Sequence, residues 1–470
     1  MPQPISSQHG LPLYNFQKKG FQFIHYHGAC YLMLDMGMGK TRICIEVGKT
    51  IDEPLFILAP KFAALETWPD EFRKWNPHEK WVVLHGDDKE RKWANSDKYT
   101  NIIMNYDGLK WFSKVVEKRL RKLQKYMFVF DEASMVKNWE SIRWLVLNSM
   151  KPIMSQYRVA LSGTPTPQSL QDLWSQYNLL DNGRVLGADY YGFRNRFFDY
   201  SGPNGEPPYQ TTIKPFADTK IHELVNPITM RLKAKDYLDL PPVVYNPIKI
   251  TLPPGLQRQY NTIEEEFMLE FPTSTMMANS AAVRDHKLRQ FLQGAVYATS
   301  NEQAGAQRRL PTVTQHIHDL KAQVIKQLLE TSVGQPLLVA VQFKFELQII
   351  ERVLKRKVAA ITGRTSGSDG KRLIQQWNKG VLSLMVVHPK SVAYSLNLQF
   401  GGNHLIWAAL PWELDLFLQL NGRLPRIGQK ADRVIITTIG FRNTIDDKVS
   451  VYLRRKNASQ EGLFNAILTK

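Results

Sequence analysis

The chain has 470 residues, 43% hydrophobic and 22% charged, which excludes wholesale disorder and provides for about two or three domains with real cores. Lys and Arg outnumber Asp and Glu by 61 to 43, a net charge of +18 that favours a polyanionic partner, nucleic acid first. Two cysteines, Cys30 and Cys44, are too few for a disulfide framework or a zinc ribbon, and no apolar run reaches the ~18–20 residues of a membrane span.

The N-terminus, Met1-Pro2-Gln3-Pro4, lacks the apolar core of a signal peptide. His25 with His27, and His316 with His318, have no cysteine or carboxylate spacing to complete a metal site and read as surface or partly buried histidines. Tyr31-Leu32-Met33-Leu34 reads as a buried strand, Asp35-Met36-Gly37-Met38-Gly39-Lys40-Thr41 as a glycine turn, and Arg42–Val47 as a helix opening. Strand, glycine turn, Gly-Lys-Thr and helix form the context of a phosphate-cradling loop. Gly37 and Gly39 let the backbone N–H groups around Met38 approach phosphate oxygens, and the helix start adds positive potential. Lys40 would reach the β/γ-phosphates of ATP, and Thr41 would hold Mg²⁺. Leu34 stands where the general pattern has its first glycine.

Further strands are expected at Leu55–Ala59, Trp81–Leu84, Ile102–Met104, Met127–Phe130 and Arg158–Leu161, separated by helix-length segments. That alternation implies a doubly wound parallel sheet. The basic run Glu117–Lys125 reads as a solvated helix face ahead of a dedicated DNA contact. Tyr126–Phe130 then ends in Asp131-Glu132, a pair of acids at the carboxyl end of an apolar strand, as in a Walker B element. Asp131 would bind Mg²⁺ through water and Glu132 would polarise the attacking water. The two elements are expected on adjacent strands of one lobe.

Beyond residue 184 the pattern changes. Ser201-Gly-Pro-Asn-Gly-Glu-Pro-Pro208 is a turn-rich loop, and Pro253–Phe271 and Ser280–Thr299 are helical in period. A second strand set follows at Leu337–Val341, Val358–Ile361, Leu384–Val387, His404–Trp407 and Val434–Thr438. The expected architecture is α/β: lobe 1 over 1–183, mainly helical insertions and a linker over 184–311, and lobe 2 over 312–470 with a C-terminal brace.

With these elements in order, the chain resembles a superfamily-two helicase of the Swi/Snf-like branch, over about residues 11–456. Leu13–Gly20 is similar to that branch's glutamine motif, in which Gln17 would read adenine. Leu58-Ala59-Pro60-Lys61 with Trp68, Glu71 and Trp75 is similar to motif Ia and its trailing helix, and Lys137-Asn138 follows the acidic box as the branch has it. Leu161–Pro167 resembles motif III. Ile361-Thr362-Gly363 and Ser391–Gln399 resemble motifs IVa and V, and Gln419–Gln429 is similar to motif VI.

The resemblance implies two RecA-like lobes, with Gln419, Arg423 and Arg426 of lobe 2 completing an ATP site begun by Lys40, Asp131 and Glu132. It also implies phosphate contacts from Lys61, Gly363, Thr365 and Ser391, of the kind that position a motor without reading sequence. Expected partners are duplex DNA and, for targeting, a second protein; the motor is expected to act as a monomer, away from membranes. Trp407 and Trp412 read as core residues ahead of base-stacking ones.

Departures are Ser134, where the branch has histidine, Pro425 inside motif VI, and Ser395, where glycine is expected. With Gln17 near the start and a short tail after Lys456, a compact bacterial or viral motor is expected. Its expected place is the cytoplasm, or the nucleus if eukaryotic, and nucleosome sliding is disfavoured. The alternatives at this level are a strand-separating or annealing helicase and a nucleotide-gated DNA clamp with little turnover.

Overall fold

The computed structural model describes residues 12–51, 53–96, 100–116, 125–163, 169–201, 210–271, 274–278, 280–300, 312–332, 334–392 and 396–468. Expectations for 117–124 of the basic run, the 202–208 loop, Thr164–Pro167 of motif III and Ala393-Tyr394-Ser395 fall outside these residues. The chain divides into two units, Met1–Asp239 with Ser459–Lys470, and Leu240–Ala458.

Among the described residues, unit 1 is built on a seven-stranded parallel sheet. Its strands in chain order are β1 (Ala29–Leu34), β2 (Leu55–Ala59), β3 (Trp81–Val83), β4 (Asn101–Asn105), β5 (Tyr126–Asp131) and β6 (Met154–Leu161). A hairpin, β7 (Phe198–Ser201) and β8 (Gln210–Ile213), precedes the seventh strand, β9 (Thr229–Leu232). Spatial order is β3-β4-β2-β5-β6-β1-β9. The central strands are buried on both faces, which is why Leu55–Ala59 and Tyr126–Phe130 are unbroken apolar runs rather than alternating ones.

Two features of this sheet differ from the sequence expectation. The phosphate-loop strand β1 and the acidic-pair strand β5 are not neighbours, because β6 lies between them and pairs with both. An added edge strand, β9, lies parallel to β1, with Tyr31 opposite Thr229 and Leu34 opposite Leu232. Its four residues, Thr-Met-Arg-Leu, carry no apolar run long enough to announce a strand.

Unit 2 has a six-stranded parallel sheet: β10 (Val243–Ile250), β15 (Leu337–Ala340), β16 (Ala359–Ile361), β17 (Leu384–Val387), β18 (His404–Trp407) and β19 (Val434–Phe441). Their order is β10-β19-β18-β15-β17-β16. Between β10 and β15 lies an antiparallel sheet of β11 (Met268–Phe271), β12 (Ser274–Met277), β13 (Ala295–Ser300) and β14 (Thr312–His316). The fold class is thus α/β with two parallel sheets.

The helices expected over Pro253–Phe271 and Ser280–Thr299 are present but stop early, at Glu266 and Leu292. The first ends because Phe267 takes a left-handed conformation at φ 59°. The second is followed by Gly294 at φ 98°, where a Cβ would lie 2.2 Å from the His318 carbonyl oxygen. Only the glycine was a visible stop signal.

The core of unit 2 encloses an ion pair. Lys321 Nζ donates to Asp446 Oδ2 at 2.8 Å and to the Ala408 carbonyl at 2.8 Å, with both side chains buried. Trp407 is fully buried and donates to Asn421 Oδ1, and Trp412 packs edge-on against Tyr452. No helix among the described residues is long and apolar enough to cross a membrane.

Candidate active site

In unit 1 the carboxyl ends of β1, β6 and β5 carry the candidate chemistry side by side. After Leu34 the chain turns through Gly37 (φ 81°) and Gly39 (φ 70°, ψ 36°), left-handed conformations that side chains rarely adopt, and enters the helix Lys40–Gly48. Leu34 is the last residue of a strand and fully buried, so the position needs no glycine. The turn is anchored from the sheet edge: Asp35 N donates to the Leu232 carbonyl at 3.3 Å, and Ala234 N donates to Asp35 Oδ2 at 2.8 Å. Lys40 Nζ folds over the same turn, donating to the carbonyls of Leu34 (2.6 Å) and Asp35 (3.3 Å).

Gln17 sits against this loop. Its Oε1 accepts from Tyr14 N at 3.1 Å, capping the helix Asn15–His27, and its Nε2 donates to the Met38 carbonyl at 3.4 Å. A Cβ on Gly39 would lie 2.4 Å from Gln17 Nε2. Gly39→Ala therefore meets both a positive φ and a steric clash. It is expected to weaken nucleotide affinity and to lower stability by about 1–3 kcal/mol, checked by titration and thermal melting.

At the end of β5, Asp131 Oδ2 accepts from Trp68 Nε1 at 2.9 Å, and the Asp131 carbonyl accepts from the Tyr106 hydroxyl at 3.0 Å. Glu132 is left-handed (φ 60°, ψ 63°), a conformation that is costly for a residue with a long side chain and is found preferentially at functional sites. Its Oε1 accepts from Ser162 Oγ at 2.6 Å and from Ser134 Oγ at 3.3 Å. Ser162 immediately follows β6, so the strand that separates β1 from β5 delivers a hydroxyl to the acidic pair. Ser134, the departure from histidine, is thereby accounted for as a second donor to the same oxygen. Burial beside Asp131 and Glu132 pushes the Tyr106 phenol well up, so it stays protonated and a donor.

The residues expected from motif VI lie in unit 2. Arg426 Nε donates to the Gly422 carbonyl at 2.8 Å, and its Nη1 donates to the Leu396 carbonyl (3.4 Å) and Asn397 Oδ1 (3.2 Å). Burial pushes its guanidinium down to about 10, which still leaves it charged at neutral pH. Arg423 Nη1 also donates to the Leu396 carbonyl, at 3.3 Å. Gln419, in the helix Leu414–Asn421, donates to both carboxylate oxygens of Asp415. Pro425 lies in the turn after this helix, outside any ladder where a missing N–H would cost.

The candidate phosphate contacts all follow carboxyl ends of parallel strands. Lys61 is exposed just after β2. Gly363 is exposed after β16, and Ser391 follows β17. The Thr365 hydroxyl accepts from Thr362 N (2.9 Å) and donates to the Ala360 carbonyl (3.3 Å), which shapes the loop rather than presenting the hydroxyl outward.

This geometry meets clear relatives. Residues 16–329 match the SNF2-related domain, and residues 320–428 match the helicase conserved C-terminal domain. The chain belongs to the SNF2-related family. It is an ATPase of the helicase/translocase type. It is 30% identical over 455 residues to "Putative protein p41" of Acyrthosiphon pisum secondary endosymbiont phage 1, spanning 93% of this chain and 94% of that protein. It is 24% identical to the "Putative ATP-dependent helicase/translocase YwqA" of Bacillus subtilis, covering 96% of this chain but 48% of YwqA. Among solved structures, it resembles the Sulfolobus solfataricus SWI2/SNF2 ATPase core in complex with dsDNA, with a TM-score of 0.44 and 21% identity. That likeness spans 98% of this chain and 95% of the other.

Proposed function

We propose that the ATPase translocates on duplex DNA, hydrolysing ATP to remodel DNA or displace bound protein. The observation that carries this reading is the placement in unit 1 of Lys40 after β1 and of Asp131 and Glu132 at the end of β5, on either side of β6, with Glu132 held by two hydroxyls. Gln17, Gly37, Met38, Gly39, Lys40 and Thr41 would bind the nucleotide. The hard oxygen donors Thr41 and Asp131 suit Mg²⁺, which when bound would neutralise charge on the phosphates. Glu132 would orient and deprotonate the attacking water. Arg423 and Arg426, with Gln419, are the unit 2 residues that would act on the nucleotide's phosphates. An arginine at the transferring phosphoryl group is worth roughly 10³–10⁵ in rate.

Contacts from Lys61, Gly363 and Ser391 to phosphates, with Thr365 shaping the loop that carries Gly363, would let ATP turnover drive stepping along the backbone. The net charge of +18 suits that role. Similarity to a phage protein and a bacterial one is consistent with action in the cytoplasm. The ATPase would act as a monomer, targeted by a protein partner.

ATP turnover is expected to rise with duplex DNA. That stimulation should fall by about 10-fold or more between 50 and 200 mM salt, because phosphate contacts release counterions. Turnover indifferent to DNA would remove the motor reading. Triplex displacement without unwinding of tailed duplexes would separate a translocase from a strand-separating helicase.

A further inference from the structure

Between Lys61 and the acidic pair lies an irregularity that the proposed ATP site does not use. The helix that follows β2 begins at Lys61 and continues to Trp75, but its stretch Ala63–Thr67 is wound as a π-helix. Trp68 N donates to the Ala63 carbonyl, five residues back, whereas Ala64 N donates to the Pro60 carbonyl, four back. In an α-helix each residue turns the chain by roughly 100°, so one added residue in a turn re-aims every side chain beyond it. The side chain so aimed is Trp68, which is fully buried and donates its indole N–H to Asp131 Oδ2. Because β2 and β5 pair directly, with Leu58 opposite Phe130, the helix after β2 starts beside the strand end that bears Asp131.

We propose that Trp68 is a positioning residue that ties the Lys61 helix to the carboxylate of Asp131, with the π-turn as the adjustable joint between them. The inference rests on the reading of Asp131 as a Mg²⁺-binding group and of Lys61 as a phosphate contact. A π-turn has weaker bonding than the α-helix on either side, so a pull at its first turn can rewind it. Rewinding would rotate Trp68 away and remove that orienting donor from the Asp131 carboxylate. Nucleic acid at Lys61 and Mg²⁺-nucleotide at Asp131 would thus bias the same five residues, which is the physical requirement for coupling.

The test uses the full chain and Trp68→Phe, which keeps an aromatic ring and removes the donor. Binding of fluorescent ADP is titrated with and without Mg²⁺. The variant is expected to need about tenfold more Mg²⁺ for half-saturation, the usual scale for removing an outer partner of a metal ligand, while Mg²⁺-free affinity stays within twofold of the parent. Equal Mg²⁺ dependence in parent and variant overturns the proposal. A parent that shows no Mg²⁺-dependent nucleotide binding overturns it together with the active-site reading; a normal parent with a normal variant overturns this inference alone.

Should the variant fail to fold, hydrogen exchange on the parent decides. Duplex DNA alone and Mg²⁺-ADP alone are each expected to change amide protection within Ala63–Trp68. An unchanged segment with either ligand overturns the proposal.

Discussion

Lys40→Ala is expected to bring ATP turnover down by at least about 10²–10³-fold while leaving the fold intact. The ammonium sits at the head of the helix Lys40–Gly48, where helix dipole and loop N–H groups already favour anions. It is the mobile charge of that cradle, and no backbone donor can follow a phosphoryl group as it transfers. Its partners here are backbone carbonyls, that of Leu34 at the end of β1 and that of Asp35 just after it, so truncation removes hydrogen bonds while the apolar core side chains stay in place. Steady-state phosphate release, with a thermal melt as the fold control, checks the prediction. Turnover near the parent rate would refute the assignment of this loop.

Glu132→Gln is expected to retain nucleotide binding and to lose about 10²–10⁴-fold in the chemical step, the usual contribution of a positioned general base. The substitution is nearly isosteric. An amide Oε1 can still accept from Ser162 and Ser134, and the left-handed backbone strain is the same for both residues. What disappears is the capacity to take a proton from water. Single-turnover hydrolysis of labelled ATP separates the chemical step from product release. It also decides against a nucleotide-gated clamp, which would show negligible turnover in the parent as well. Equal rates in parent and variant would remove Glu132 from its role.

Much of the site was legible in the chain before folding. Gly37, Gly39 and Lys40 carry their own backbone logic, since only glycine serves two left-handed positions ahead of a helix. Asp131-Glu132 declares itself as acid at the end of an apolar run. The glutamine at position 17 was visible through a resemblance, but its contact with the Met38 carbonyl and its closeness to Gly39 were not. Trp68 and Ser162 were named with their motifs, yet nothing local tells that an indole and a hydroxyl will each meet one of the two acids. Their partners are 63 and 30 residues away in sequence. The arginines of motif VI were legible as cations. Their hydrogen bonds to the Leu396 and Gly422 carbonyls depend on how the turn after Asn421 packs.

The strands at Leu55–Ala59, Leu384–Val387 and His404–Trp407 follow from sequence alone, because a doubly buried strand must be largely apolar and its neighbours must punctuate it. Strand order does not follow, since parallel neighbours are chosen by crossover connections and packing rather than by local pattern. That choice put β6 between β1 and β5 and brought Ser162 to Glu132. The four-residue strand β9 and the π-turn at Ala63–Thr67 were likewise decided only in the folded molecule, where pairing with β1 and contact with Asp131 outweigh weak local preference.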